Sequence, residues 1–153
     1  MSVSFKYDKN WSKLINDLEA FVGNLDDVFL ATLNDLGNFL ITKIQERAPT
    51  STGNYGASWF IKEVDSEHLI VDTPHGDLAV FLEFGTQPHV ILPKDKKVLS
   101  WIGPDGVRRF ATIVFHPGTP PMPHVRPAIE LAIEEIQTIF LNNLRGITGI
   151  GLE

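Results

Sequence analysis

Histidines and one glutamate are the side chains of this sequence best suited to bind a metal. Of the five histidines, His89, His116 and His124 lie beside prolines, and with Glu83 they form a possible set of four zinc ligands. None of the histidines forms a His-x-x-x-His pair, the spacing that places two ligands on one face of a helix. A small metal-dependent enzyme built on these four residues is therefore an alternative hypothesis rather than the leading one.

Covalent catalysis has little support in this sequence. There are no cysteines, so thiolate chemistry and disulfides are excluded. The hydroxyl residues before Gly53 do not form a Gly-x-Ser-x-Gly nucleophile elbow, and no glycine-rich loop for phosphate is present. Glu83 lies among Phe81, Leu82 and Phe84, where burial would require a partner for its charge. We expect Glu83 to be a paired structural carboxylate, and we expect neither enzymatic activity nor a cofactor.

The composition is that of a globular domain. The chain has 153 residues, of which 43 % are hydrophobic and 21 % charged, and this length favours a single domain over residues 1–153. No apolar stretch reaches the roughly 18 residues that span a bilayer, and the N-terminus lacks the apolar block of a secretory signal. We therefore expect no membrane partner, and the absence of cysteine is compatible with assembly in a reducing cytoplasm. Residues 1–10 and 146–153 are expected to be flexible ends.

The charge is unevenly distributed along the chain. The net charge of −6 disfavours a general nucleic-acid binder. Residues 94–109 nevertheless contain five basic and two acidic side chains, a local charge of +3 that leaves −9 on the rest. The basic residues are Lys94, Lys96, Lys97, Arg108 and Arg109. This segment fits three roles, namely a contact with phosphate, a contact with an acidic neighbouring subunit, or a solvated hairpin.

Apolar residues at three- and four-residue spacing predict two helices in the first third of the chain. The first covers residues 11–23, and the second covers residues 25–47 with Asn24 as its N-cap. Pro49 ends the second helix, because the residue before a proline avoids helical geometry. Short runs of branched and aromatic residues then predict strands, which cover residues 59–64, 69–71 and 78–84.

A hairpin, a proline-rich segment and a final helix complete the predicted fold. Residues 98–102 and 107–115 flank a Gly-Pro-Asp-Gly turn, and residues 116–123 contain four prolines that favour an extended connector. The last helix has Pro127 in its first turn and ends at Gly146. The fold class is therefore α+β, in which a long N-terminal helix and a C-terminal helix pack on an antiparallel β-sheet with a projecting β-hairpin and a Pro-rich loop.

Three segments in this order resemble the neck or tail-completion family of long-tailed phages, over about residues 11–145. They are Arg47-Ala48-Pro49-Thr50-Ser51-Thr52-Gly53; then Phe81-Leu82-Glu83-Phe84-Gly85-Thr86 with Pro88-His89 and Ile91-Leu92-Pro93-Lys94; then His116-Pro117-Gly118-Thr119 with Pro121, Pro123 and Arg126-Pro127-Ala128. Asn54-Tyr55-Gly56 and Ala79 depart from the usual pattern of that family. These departures concern contacts between subunits more than they concern the fold.

The resemblance implies a structural virion protein of the head–tail junction. Such a protein forms a hexameric ring that joins the tail to the DNA-filled head and lets double-stranded DNA pass without specific binding. The implied partners are further copies of the chain, a head-completion or connector protein, and a tail-terminator or tail-tube protein. The implied location is the neck or tail of the virion.

The resemblance and the charge pattern together suggest two groups of site residues. The hypothesised interface consists of the five basic residues of segment 94–109 and His116, Pro117, Gly118, Thr119 and Pro121. The structural family motif consists of Pro49, Thr52, Gly53, Glu83, Phe84, Gly85, Thr86, Arg126 and Pro127, with residues 83–86 expected at the end of a core strand. Three alternatives stay open: a tail terminator or minor tail protein, a DNA-binding module built on the basic hairpin, and the metal-dependent enzyme.

Overall fold

The computed structural model describes residues 9–49 and 53–149, and the chain divides into two compact units. Unit 1 comprises Met1–Pro74 and Val125–Glu153, and unit 2 comprises His75–His124. The helices are α1 (Lys9–Gly23), α2 (Leu25–Arg47), α3 (Asn54–Ala57), α4 (Gly76–Phe84) and α5 (Val125–Thr148). The strands are β1 (Phe60–Val64), β2 (Leu69–Asp72), β3 (His89–Ile91), β4 (Leu99–Ile102), β5 (Arg108–Ala111) and β6 (Val114–His116). This element order confirms the α+β class, while folding as a single domain stays a prediction.

The core of unit 1 forms where α2 packs along α5. Val28 and Ile44 of α2 are fully buried, and α5 contributes the small buried residues Ala128 and Ala132. Small side chains on one helix let larger side chains of the other helix fill the space between the two axes. The predicted long N-terminal and C-terminal helices therefore pack mainly on each other.

A two-stranded ribbon of β1 and β2 packs against α2. The helix approaches it closely because Gly37 has no side chain, and a Cβ atom there would lie 2.8 Å from Ile61 Cδ1 and 3.0 Å from Leu69 Cδ1. The turn of the ribbon is held by Asp65, whose Oδ1 accepts a hydrogen bond from the backbone N–H of His68 at 2.7 Å. The strands predicted at 59–64 and 69–71 are confirmed as this antiparallel pair.

Helix α2 has the predicted bounds with Asn24 at its N-cap position, but the predicted side-chain cap is missing, and the predicted end of the last helix is wrong. Asn24 does not cap α2 with its side chain, because its Nδ2 instead donates to the carbonyl oxygen of Ala20 at 2.9 Å, in the preceding helix. Gly146 does not end α5, which continues to Thr148. The helix stops at Gly149, whose positive φ of 65° is a conformation that glycine adopts without steric cost.

The strand predicted for residues 78–84 is wrong, because this stretch is part of helix α4. Its apolar residues are continuous rather than alternating, a pattern that does not separate a buried strand from a helix. A helix satisfies its backbone hydrogen bonds within itself, whereas a strand here would need a free neighbour. The nearby strands β3 and β6 already pair with each other, so residues 83–86 end a helix and not a core strand.

The predicted single antiparallel sheet is replaced by three separate two-stranded ribbons, β1–β2, β3–β6 and β4–β5. The hairpin around the Gly-Pro-Asp-Gly turn is confirmed as β4–β5. Its second strand was predicted to continue over residues 107–115, but it ends at Ala111, and the chain resumes as β6 to pair with β3. No helix among the described residues combines the length and the apolar character that a bilayer crossing needs.

Truncating Ile44 should destabilise the protein, because Ile44 is 1 % exposed and Ile44→Ala leaves a cavity in the core. We expect the free energy of unfolding, measured by urea denaturation, to fall by about 2–5 kcal/mol. The matched control is Ile15→Ala, the same change in helix α1 at a side chain that is 45 % exposed, with an expected loss below about 1 kcal/mol. Equal losses for the two variants would contradict this account of the core.

Candidate functional site

Unit 2 contains a buried carboxylate. Glu83, near the end of α4, accepts a hydrogen bond through its Oε2 from the backbone N–H of His124 at 2.8 Å. The His124 ring is fully buried, and its Nδ1 lies 3.4 Å from the same oxygen and 2.8 Å from the carbonyl oxygen of Met122. A carbonyl oxygen only accepts, so Nδ1 carries the proton. The charge on Glu83 therefore has the partners that burial requires.

The proline-rich segment is bound to the end of α4 through its few backbone donors. Prolines have no N–H, so residues 117–124 offer only four backbone N–H groups. Three of them donate to the end of α4 or to the residues just after it: Thr119 to the Thr86 carbonyl at 3.1 Å, Met122 to the Leu82 carbonyl at 2.7 Å, and His124 to Glu83. The fourth belongs to Gly118 and donates to Nδ1 of His116 at 3.1 Å. We call the set formed by residues 82–86 and 116–124 the clasp.

Two glycines allow the two chain segments of the clasp to approach each other. Gly85 has a φ of +73°, and a Cβ atom there would lie 2.5 Å from the carbonyl oxygen of Thr119. Gly118 has a φ of +86°, and a Cβ atom there would overlap the carbonyl oxygen of Thr86. Only glycine combines this backbone conformation with the absence of a side chain. The clasp thus explains why glycines stand at both positions of the motif.

The four predicted zinc ligands fall into two separate pairs. His89 and His116 face each other across β3 and β6 with their ring centroids 5.0 Å apart, while Glu83 and His124 pair inside the clasp. The two facing rings are held by backbone groups, since His89 Nδ1 lies 2.8 Å from the Gln87 carbonyl. Within residues 9–49 and 53–149, no three histidine or carboxylate side chains come together to hold a metal. The structure therefore does not assemble the ligand set of the enzyme hypothesis.

The β4–β5 ribbon carries two of the five predicted basic residues. Arg109 pairs with Asp105 in the turn at 2.9 Å, and Arg108 donates to Oγ of Ser100 at 3.0 Å. The turn is closed by the backbone N–H of Gly103, which donates to the Val107 carbonyl at 2.9 Å. The remaining three basic residues, Lys94, Lys96 and Lys97, are exposed in the segment between β3 and β4.

The register of the ribbon gives it two different faces. Ile102 pairs with Arg108 and Ser100 pairs with Phe110, so these four side chains share one face. Ile102 and Phe110 are exposed on this face, and Trp101 is exposed on the other. A two-stranded ribbon is marginally stable in water, so its apolar faces need a partner.

Four of the remaining motif residues belong to unit 1. Pro49 follows α2, Gly53 precedes α3 with a φ of +72°, and Pro127 lies in the first turn of α5 after the exposed Arg126. Thr52 lies outside the described residues. The structure thus brings together Glu83, Gly85 and Thr86 with the motif of residues 116–121 in unit 2.

Sequence reasoning missed the partner of Glu83 and the outer surface of α4. The need for a partner was readable from the apolar residues around Glu83, but nothing in the sequence indicated the backbone of His124. The outer side chains of α4, including Val80, Phe81 and Phe84, are exposed. As a helix, residues 76–84 carry apolar side chains on every side, and a helix of that kind is normally buried. Its all-round apolar character was therefore the signal for a surface that needs a partner.

The clasp should weaken when Glu83 is replaced. Glu83→Ala leaves the buried His124 N–H without its acceptor, and we expect the free energy of unfolding to fall by about 1–3 kcal/mol. Glu83→Gln keeps an acceptor oxygen in place and should lose less. Hydrogen exchange at the His124 amide should accelerate in Glu83→Ala and stay slower in Glu83→Gln. An unchanged exchange rate in Glu83→Ala would contradict the assigned hydrogen bond.

Acid should loosen the turn of the β4–β5 ribbon. The pKa of Asp105 lies below its ordinary value of 3.8, because the Val107 N–H and then the Arg109 guanidinium stabilise its carboxylate. A lowered pKa means that this stabilisation is present above pH 3.8 and is lost as the pH falls through the lowered pKa. In an NMR titration, Arg109→Ala should move the pKa of Asp105 back towards 3.8. Arg108→Ala is the control and should leave it unchanged, because Arg108 binds Ser100 instead.

Comparison with known proteins gives one family match. Residues 12–85, just under half of the chain, match the family described as "Bacteriophage HK97-gp10, putative tail-component". No curated protein and no solved structure matches the chain. The matched residues cover the helices α1 to α4 and include the motif residues Glu83, Phe84 and Gly85. The match confirms the tailed-phage resemblance, and over residues 12–85 this chain is similar to a family described as a bacteriophage tail component.

Proposed function

We propose that this chain is a structural protein of the phage head–tail junction. In this proposal, copies of the chain form a ring that joins the tail to the DNA-filled head and leaves a passage for double-stranded DNA. It binds a head-completion or connector protein on one side and a tail-terminator or tail-tube protein on the other. It is assembled in the host cytoplasm and stays in the virion, with no enzymatic step of its own.

The exposed apolar surface is the observation that carries this proposal. Among the described residues, 27 large hydrophobic side chains are exposed and only eight hydrophobic residues are buried. Single exposed hydrophobic residues are normal, but here they form rows on α1, on α4, on the β4–β5 ribbon and on α5. Monomeric proteins rarely expose rows of this kind, whereas subunits of assemblies cover them with partners.

The energy available from covering these rows is large on the scale of protein stability. Burying one exposed large apolar side chain contributes about 1.5–3 kcal/mol. A whole folded domain is stable by only about 5–15 kcal/mol, so a handful of such contacts is comparable with it. A ring of copies covers the same rows on every subunit, and so it suits a chain with exposed rows on both units.

The clasp supports the same proposal through its rigidity. It fixes the end of α4 by several backbone hydrogen bonds, and α4 in turn presents Phe81 and Phe84 at the surface. Burial of a rigid apolar anchor costs less conformational entropy than burial of a mobile one. The segment His116–Pro121 and α4 together are therefore suited to contact a neighbouring subunit.

The charge distribution fits passage of DNA. The net charge is −6 although segment 94–109 is basic, so the rest of the chain carries −9 and on balance repels phosphate. A channel wall of like charge lets DNA slide without tight binding. We propose that acidic residues line the passage, and a solved ring with a basic inner wall would contradict this part of the proposal.

Disrupting the gene in its virus tests the proposal directly. We expect electron microscopy of the lysate to find filled heads apart from complete tails of normal length, because only the junction is missing. Complementation with the wild-type gene should restore joined particles and is the control. Tails of abnormal length would instead indicate a tail terminator, and intact joined particles would contradict a role in the junction.

A further inference from the structure

Helix α5, which belongs to unit 1, exposes an apolar stripe. Ile129, Ile133 and Ile136 follow one another at four- and three-residue spacing, so they lie on one face, and all three are exposed. Ile133 has 66 % of its surface accessible, although its neighbours on α5 take part in the core. Glu130 and Glu134 form a row beside this stripe, one position further along the helix. Within the described part of the chain, neither glutamate has an ion-pair partner.

The β4–β5 ribbon offers a complementary surface on unit 2. One face carries Ile102 and Phe110, the latter 62 % exposed, together with Arg108. The only hydrogen bond that the Arg108 side chain makes among the described residues goes to Oγ of Ser100. A guanidinium has five N–H donors, so most of them are available to carboxylates. The ribbon face thus combines two apolar side chains with a positive charge, as the α5 stripe combines isoleucines with negative charges.

We propose that the ribbon face of one copy docks on the α5 stripe of a second copy. Ile102 and Phe110 pack on Ile129 and Ile133, and Arg108 lies beside Glu130 and Glu134. This docking rests on the proposed ring and names the surfaces through which neighbouring copies meet. Because the two surfaces differ, the contact is head-to-tail, the kind of interface that closes into a ring by rotation.

Charge selects α5 over the other exposed helical stripe. Helix α1 also presents an apolar row, which includes Ile15, Leu18 and Val22. Its side chains between Lys13 and Glu19 carry mixed charges and offer no paired acidic row. Glu130 and Glu134 stand four residues apart on one edge of the α5 stripe, where a single guanidinium can reach both.

Engineered cysteines test the contact, because the natural chain has none. The test variant is Phe110→Cys with Ile133→Cys, incorporated into virus particles and oxidised. A disulfide needs Cα atoms within about 7 Å, so a cross-link reports a direct contact. We expect a ladder of disulfide-linked multimers on a non-reducing gel, and monomers for each single variant. A second pair, Ile102→Cys with Ile129→Cys, is tested in the same way to allow for a shift in register.

The possible results separate this docking from the proposed function. Particles that contain the chain but give only monomers with both cysteine pairs would overturn the docking alone. Dimers from Phe110→Cys by itself would indicate a symmetric contact. A ladder from Phe110→Cys with Val22→Cys would show that the ribbon docks on α1. Either result would overturn the proposed docking on α5. Absence of the wild-type chain from purified particles, detected by immunoblot, would instead count against the proposed function.

A charge swap gives a second and independent measurement. Arg108→Glu should reduce the number of infectious particles, because like charges would then face each other at every contact in the ring. Adding Glu130→Arg and Glu134→Arg to the same chain should restore infectivity. A triple variant no more infectious than Arg108→Glu alone, although folded by circular dichroism, would overturn the proposed pairing.

Discussion

Unit 2 depends on the pairing of a buried carboxylate with a proline-rich segment. Prolines remove half of the backbone donors from residues 117–124, and all four that remain are hydrogen-bonded. Two donate to the carbonyl oxygens of Leu82 and Thr86, one donates to the His116 ring, and Glu83 accepts the last, that of the buried His124. An apolar residue at position 83 would leave this donor unsatisfied, at a cost of about 1–3 kcal/mol. The carboxylate and the two glycines therefore serve the same requirement, which is to hydrogen-bond the few backbone N–H groups that the prolines leave.

The clasp fixes the end of α4 but leaves much of the apolar surface of this helix exposed. Ala79 and Glu83 are the buried residues of α4, Leu82 is half-buried, and the other large apolar side chains of the helix are exposed. The short ribbons cannot cover them, because β3 and β6 pair only over three residues each. The unit thus gains internal order and at the same time exposes apolar surface. A subunit built for contact with other chains has this combination of properties.

Charged side chains beside the exposed apolar surfaces can determine which of these surfaces meet. Five of the thirteen lysines and arginines lie in and just before the β4–β5 ribbon, whereas Glu130 and Glu134 lie beside the apolar stripe of α5. Apolar contacts alone are non-directional, so they do not choose among several possible pairings. Opposite charges beside two apolar faces favour one pairing and disfavour contacts between like surfaces. Together these terms can specify both the strength and the order of an assembly.

The sequence by itself determined the long helices, the first hairpin, the turn of the second hairpin and the need of Glu83 for a partner. These features follow from spacing, from turn residues and from the cost of burying a charge, all of which are local. Only the tertiary structure decided that residues 76–84 are helical, that β6 leaves the hairpin to pair with β3, and that His124 is the partner of Glu83. Each of these depends on which distant segment lies beside it, because a short apolar run satisfies helix and strand equally until its neighbours are fixed.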